Sequence, residues 1–193
     1  SPLPPVDGAV LALVFGAGVG ITAGFRLLLL LFTEVLGRRL PDSNGNLVLG
    51  SIFVALAVAA IPSGALAGRW GNQRAMVLGL AVLALVGVLV SGVGHLGSAI
   101  ALALLFGAAF SLVSNGTIPF ALAMVPPPKA GLGTGMFFSG GAAASAVLGT
   151  VAASLKTLPL GLSALLGVLA LLLAGICITV APRRLSLATL AAK

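Results

Sequence analysis

Residues 164 to 173 read Ala164-Leu165-Leu166-Gly167-Val168-Leu169-Ala170-Leu171-Leu172-Leu173, a run with no charge and no alternation of polar and apolar positions. A second such run is Leu27-Leu28-Leu29-Leu30-Leu31. The bilayer core offers no partner for backbone N–H and C=O groups, so a chain crosses it as an α-helix or within a closed barrel. Barrel strands alternate apolar and polar residues over about ten positions. These runs do not alternate, and they therefore predict membrane-spanning helices.

The composition extends this prediction to nearly the whole chain. Of its 193 residues, 60% are hydrophobic and 7% are charged, whereas a soluble domain has about 25% charged residues. Between a Pro-rich lead at 1–8 and a basic tail at 183–193, residues 9–182 form one transmembrane domain. Because about 20 apolar residues cross a bilayer as a helix, we predict an all-α polytopic membrane protein with spans near 9–32, 47–68, 75–94, 98–124, 132–154 and 160–181.

The net charge of +7 would suggest nucleic-acid binding in a soluble protein, but here the basic residues cluster in short connections. Six crossings put both termini on one side of the membrane. An excess of Lys and Arg in short loops marks the cytoplasmic side, so we expect cytoplasmic termini, contact with membrane lipids and no nucleic-acid partner, in a bacterial-type plasma or thylakoid membrane. The terminal side carries Arg69, Arg74, Lys129, Arg183, Arg184 and Lys193, and the other side carries Arg38, Arg39 and Lys156.

A short repeat relates the two halves of the chain. Leu13-Val14-Phe15-Gly16-Ala17 in the first span matches Leu104-Leu105-Phe106-Gly107-Ala108 in the fourth, at an offset of 91 residues. Two units of three crossings each must face opposite ways in the bilayer, and inverted repeats of three plus three helices are common in transporters. The repeat therefore predicts two inverted three-helix units.

The connection between the second and third spans has a distinctive pattern of glycine and arginine. Gly64 and Gly68 lie four apart at a helix end, where they allow a neighbouring helix to approach closely, and Gly71 permits a sharp turn. Arg69 and Arg74 flank the turn, where they can bind helix carbonyls, acidic partners or lipid phosphates. From the residues alone, a basic cytoplasmic turn is the favoured interpretation of the pattern.

The same residues, written Gly-x-Leu-Ala-x-Arg-x-Gly-x-x-Arg from Gly64 to Arg74, resemble the loop between the second and third helices of the major facilitator superfamily. Gly68 stands where that family usually has Asp. A second connection, from Pro126 to Gly135, is similar to the family's Pro-x-x-x-Arg-Gly-x-x-x-Gly loop, with Lys129 in place of Arg. The resemblance implies a cytoplasmic gating loop of Gly64, Gly68, Arg69, Gly71 and Arg74, and a second loop motif of Pro128, Lys129, Gly131 and Gly135.

Family members usually have twelve helices in two halves, so the resemblance covers the whole chain but only one half of a typical transporter. The missing Asp at Gly68 makes the chain most similar to a C-terminal half, and the Pro-rich lead resembles the exit of the linker between halves.

Polar residues inside the spans are candidates for a binding site, because such groups are unfavourable in lipid. Arg26 lies in the first span, where it either snorkels to the outer interface or faces a cavity, where it binds an anionic substrate group or pairs across helices. Asn115 and Thr117 lie in the fourth span, which we expect Pro119 to interrupt, either beside a watery cavity or as a kink with interhelical hydrogen bonds. In the family, the first and fourth helices of each half line the central cavity. The resemblance therefore implies that Arg26, Asn115 and Thr117 are candidate substrate contacts.

The residues favour two functions. The first is half of a secondary transporter that moves a small solute by alternating access around a midplane site, against a second six-helix half. The second is a non-transporting membrane subunit or assembly factor of a larger membrane complex, such as one that holds pigments. We expect no enzyme activity, no metal and no cofactor, because the acidic residues lie in termini or loops and one His with one Cys makes no metal site.

Overall fold

A computed structural model describes residues 5–191. Within that range six α-helices are long and apolar enough to cross a membrane, which confirms an all-α, multi-pass integral membrane protein. One 3-10 turn, Pro127–Lys129, precedes the fifth helix. The helices are α1 (Gly8–Arg39), α2 (Gly45–Trp70), α3 (Asn72–Val90), α4 (Leu96–Ala123), α5 (Ala130–Lys156) and α6 (Leu160–Ala191).

The helices α1 and α4 have the most extensive packing in the bundle. The helix α1 packs mainly on α5 and α6, α4 packs mainly on α2 and α3, and α3 packs on α6. Exchanging the first three helices with the last three reproduces each of these pairs. The packing therefore has the internal symmetry expected of two three-helix units, and with three crossings each the units run in opposite directions.

Two glycines, one in each unit, bring their helix close to a helix of the other unit in the same way. A Cβ on Gly107 of α4 would collide with the Ile52 carbonyl of α2, and one on Gly18 of α1 would collide with the Phe137 carbonyl of α5. Gly16, which the sequence repeat aligned with Gly107, instead faces Cys177 of α6, whose sulfur would lie 2.8 Å from an added Cβ. The structural repeat thus relates Gly18 to Gly107, and the predicted register was wrong by two residues.

The helix α1 extends beyond the predicted span end at residue 32, as far as Arg39. Arg38 stabilises this extension through an ion pair with Glu34, one turn earlier, at 3.1 Å. Arg38 also donates hydrogen bonds to the carbonyl oxygens of Lys156 at 2.6 Å and Leu158 at 3.1 Å. Arg38 therefore caps the end of α5, where helix carbonyl groups lack partners within the helix. The sequence had indicated only the side of the membrane on which Arg38 lies.

Two predicted helix breaks were wrong. The helix α4 runs without interruption past Asn115 and Pro119, and α6 continues through Pro182 to Ala191, so residues 183–191 of the predicted basic tail are helical. Proline removes only one helical hydrogen bond, and packing against neighbouring helices allows a membrane helix to continue through it. Pro2 and Pro4 of the lead and Lys193 of the tail lie outside the described residues.

Candidate functional site

The turn between α2 and α3 consists of Gly71 alone. This residue has φ +93° and ψ 141°, and its N–H donates to the Ala67 carbonyl oxygen at 2.9 Å. Residues that carry a side chain rarely adopt this backbone conformation, so the position requires glycine. The predicted sharp turn is confirmed.

The other members of the predicted gating loop are open. A Cβ on Gly64 or Gly68 would meet no atom within 4 Å, so no described helix of this chain packs closely against them. Arg69 and Arg74 are exposed. Within residues 5–191 neither has a side-chain hydrogen bond or an ion pair, which leaves both cations available to lipid headgroups or to another chain.

Asn72, the first residue of α3, is the polar contact that the sequence analysis missed in this loop. Its Nδ2 donates to the carbonyl oxygen of Gly116 on α4 at 3.0 Å. A Cβ on Gly116 would lie 2.6 Å from the sulfur of Met76, so glycine allows the close contact between α3 and α4. The sequence did contain a signal for this contact, namely an uncharged amide, Asn72, in a turn that is otherwise basic. Asn side chains commonly form hydrogen bonds between membrane helices.

Asn115, next to Gly116, binds the opposite neighbour of α4. Its Nδ2 donates to the Ala60 carbonyl oxygen of α2 at 2.8 Å, and its side chain is otherwise exposed. Thr117 donates only within its own helix, to the Ser114 carbonyl oxygen at 2.8 Å. The structure therefore places Asn115 between helices, as one predicted alternative had it, and gives Thr117 a local contact.

Four phenylalanines fill the space between α1, α2 and α4. The ring centroid of Phe25 lies 4.3 Å from that of Phe110 and 5.6 Å from that of Phe106. Phe53 of α2 meets Phe25 edge-on at 6.5 Å. This aromatic cluster occupies the contact between the two helices that the family resemblance predicted to line a polar cavity. The sequence signal for this cluster was the spacing of Phe106 and Phe110, which lie four residues apart and therefore on one helix face.

Arg26 lies apart from Asn115. It is exposed and lines a groove of about 470 Å³ between α1 and α5. Asn115 does not line this groove and bonds to α2 instead. The offset of 89 residues that relates Gly18 to Gly107 also relates Arg26 to Asn115. The two candidates thus occupy equivalent positions in the two units, towards opposite ends of the bundle, and do not line one pocket.

The second loop motif forms the 3-10 turn before α5. Pro128 is exposed and Lys129 is partly buried. Gly131 and Gly135 have no atom within 4 Å of an added Cβ, whereas one on Gly133 would lie 2.5 Å from the Ala121 carbonyl oxygen of α4. The close approach of α5 to α4 therefore occurs at Gly133, a residue outside the motif.

Asp7 connects the start of α1 to the end of α6. Its Oδ1 accepts from the Ala9 N–H at 2.8 Å and its Oδ2 contacts Arg184 Nε at 3.2 Å. The Ala9 hydrogen bond, and to a smaller extent Arg184, lower the pKa of Asp7 below its ordinary value. No local sequence pattern indicates this contact, because its partners are separated by almost the whole chain.

Comparisons with protein-family models, with curated proteins and with solved structures found no significant match. The site is therefore interpreted from its own residues.

Proposed function

We propose that the chain is one six-helix half of a secondary transporter of the major facilitator type, which moves a small solute by alternating access against a second half. The internal symmetry of the bundle carries this proposal. The helix α1 packs on α5 and α6, and α4 packs in the equivalent way on α2 and α3. Inverted three-helix units are a common construction of transporters that rock around a midplane site.

The outer helices of the bundle support a second half as partner. In the most apolar 18-residue stretch of α2, and likewise of α5, only 17% is buried inside the bundle. The corresponding share in the other spans is 39–44%. The helix α5 exposes small residues at alternating intervals of four and three, and such rows allow another helix to pack closely. These residues are Gly135, Ser139, Ala142, Ala146, Gly149 and Ala153.

We propose Asn115 as the solute contact of this half. Its side chain is exposed, and within residues 5–191 its Oδ1 accepts no hydrogen bond. The chain has three acidic residues, none of them in the apolar part of a span, which disfavours a strongly cationic solute. The basic excess at the terminal side favours cytoplasmic termini.

The second candidate function is a non-transporting membrane subunit or assembly factor. The aromatic cluster of Phe25, Phe53, Phe106 and Phe110 favours it, because these rings occupy the contact between α1 and α4, where a transporter needs a water-accessible path. In that case the exposed faces of α2 and α5 would bind a larger membrane complex.

Site-directed photocrosslinking tests the two candidates. In a Cys177→Ala background, Val54→Cys on α2 and Val147→Cys on α5, both 62% exposed, are labelled with a maleimide-diazirine reagent in native membranes. Val88→Cys on α3, 59% exposed, is the matched control.

The transporter proposal predicts one crosslinked product, to a second six-helix chain or a second copy, from the α2 and α5 positions and not from α3. Crosslinks to several subunits of a large assembly would support the second function. Equal lipid-only labelling at all three positions would contradict both functions.

A further inference from the structure

The groove between α1 and α5 combines apolar walls with two cations. Its volume is about 470 Å³, and it is open to the surroundings of the bundle. Arg26 and Lys156 provide the two positive charges and Thr33 a hydroxyl. The apolar walls include Leu29, Leu30, Leu148, Ala152 and Leu155.

Within residues 5–191 no acidic side chain lines this groove. The three acidic residues of the chain are Asp7, Glu34 and Asp42. Asp7 pairs with Arg184 and Glu34 pairs with Arg38. A guanidinium keeps its charge at every relevant pH, and an unpaired charge within the bilayer is strongly unfavourable. Within residues 5–191 Arg26 has no acidic partner, so it is available to an anion from outside the chain.

The depth of the two cations fits the headgroup of a lipid in the adjacent leaflet. Lys156 is the last residue of α5, and its carbonyl oxygen accepts from Arg38, so we place Lys156 near the membrane surface. Arg26 comes twelve residues before Arg38 on α1, which is about 18 Å deeper at 1.5 Å per residue. Long basic side chains in such positions extend towards the interface. Because Arg26 and Lys156 line the same groove, both charges favour an anionic headgroup that enters it.

We propose that this groove binds an anionic phospholipid, with its phosphate held by Arg26 and Lys156 and an acyl chain lying along Leu30, Leu148 and Ala152. Guanidinium groups bind phosphate through two parallel hydrogen bonds. The apolar walls of the groove favour a phosphate group that is attached to acyl chains over a free phosphate ion. The site is independent of the proposed transport function, because it requires neither a second half nor a solute.

Native mass spectrometry of the full chain tests the site. The protein is extracted from vesicles of equal parts phosphatidylglycerol and phosphatidylcholine, and the ratio of the two retained lipids is measured. Arg26→Gln or Lys156→Gln should lower the preference for phosphatidylglycerol about fivefold each, the factor expected for one cation near a membrane surface. Arg183→Gln removes an exposed cation at the other end of the bundle and should leave the ratio unchanged.

A second variant tests the groove without altering its charge. Ala152→Leu fills the apolar wall and should reduce retention of both lipids, so it decides the outcome if Arg26→Gln fails to fold. Equal ratios for Arg26→Gln and Arg183→Gln would overturn the proposal, as would full lipid retention by Ala152→Leu. Displacement of phosphatidylglycerol by inorganic phosphate would also overturn it, because the ligand would then be the anion alone.

Discussion

Asn72 at the start of α3 donates a hydrogen bond to the backbone carbonyl oxygen of Gly116 in α4, at 3.0 Å. The adjacent residue, Asn115, donates to the Ala60 carbonyl oxygen of α2 at 2.8 Å. Two amides thus hold one turn of α4 between α2 and α3, close to the single-residue turn at Gly71. The loop motif and the polar residues of the fourth span, which the sequence presented as separate features, belong to one hydrogen-bonded unit.

We expect either amide to contribute to stability by an amount typical of interhelical hydrogen bonds. Asn72→Ala and Asn115→Ala should each lower the free energy of unfolding by about 0.6 kcal/mol, and by no more than about 1.7 kcal/mol. Thr117→Val is the matched control, because Thr117 bonds within its own helix, and it should change the free energy by less than about 0.5 kcal/mol. Reversible unfolding in detergent micelles provides the measurement. An equal loss for Thr117→Val would show that the amides do not join the helices.

The close approach of the helices depends on particular glycines. Gly18→Ala and Gly107→Ala insert a methyl group against a backbone carbonyl, and such overpacking should destabilise the bundle by about 1–3 kcal/mol. Gly135→Ala, in open space on α5, should instead stabilise it by about 0.5–1 kcal/mol, because alanine favours helix. Thermal unfolding of the three variants in one detergent checks the opposite signs. A loss at Gly135 would indicate that its face is already covered by another chain.

Gly71 should be the least replaceable glycine of the α2–α3 loop. Its backbone conformation is available almost only to glycine, so Gly71→Ala should destabilise the turn by about 1–3 kcal/mol. Gly64→Ala and Gly68→Ala lie in helix with open space around them and should be neutral or stabilising. Protease accessibility of the loop, together with unfolding free energies, separates these cases. Similar losses at all three positions would restore a packing role to Gly64 and Gly68.

The helical spans could be predicted from the sequence because lipid imposes one simple constraint. A backbone without water must satisfy its own hydrogen bonds, so apolar runs such as Leu27–Leu31 have a single solution. The turn at Gly71 could be predicted for a similar reason, since glycine readily adopts conformations that side chains rarely allow.

The predictions that failed depended on partners distant in the chain. The extension of α1 to Arg39 rests on carbonyl groups of Lys156, Leu158 and Val93, which no local pattern near Arg39 reveals. The repeat register failed because both Gly16 and Gly18 are possible contact points, and only the position of α5 distinguishes them. The separation of Arg26 from Asn115 likewise follows from their places in opposing units.

The contact of Asp7 with Ala9 and Arg184 should make stability depend on acidity at the terminal side. Because the pKa of Asp7 is lowered in the folded chain, this contact stabilises the fold above the unfolded carboxyl pKa of about 3.9. The stabilisation is lost as pH falls through the lower, folded value. We expect the difference in unfolding free energy between the native chain and Asp7→Ser to be constant from neutral pH to about pH 5 and to shrink below about pH 4. Serine keeps a side-chain oxygen that caps the helix, so this difference isolates the charge. A difference that stays constant down to the lowest pH would show that the Asp7 carboxylate gains nothing from its partners.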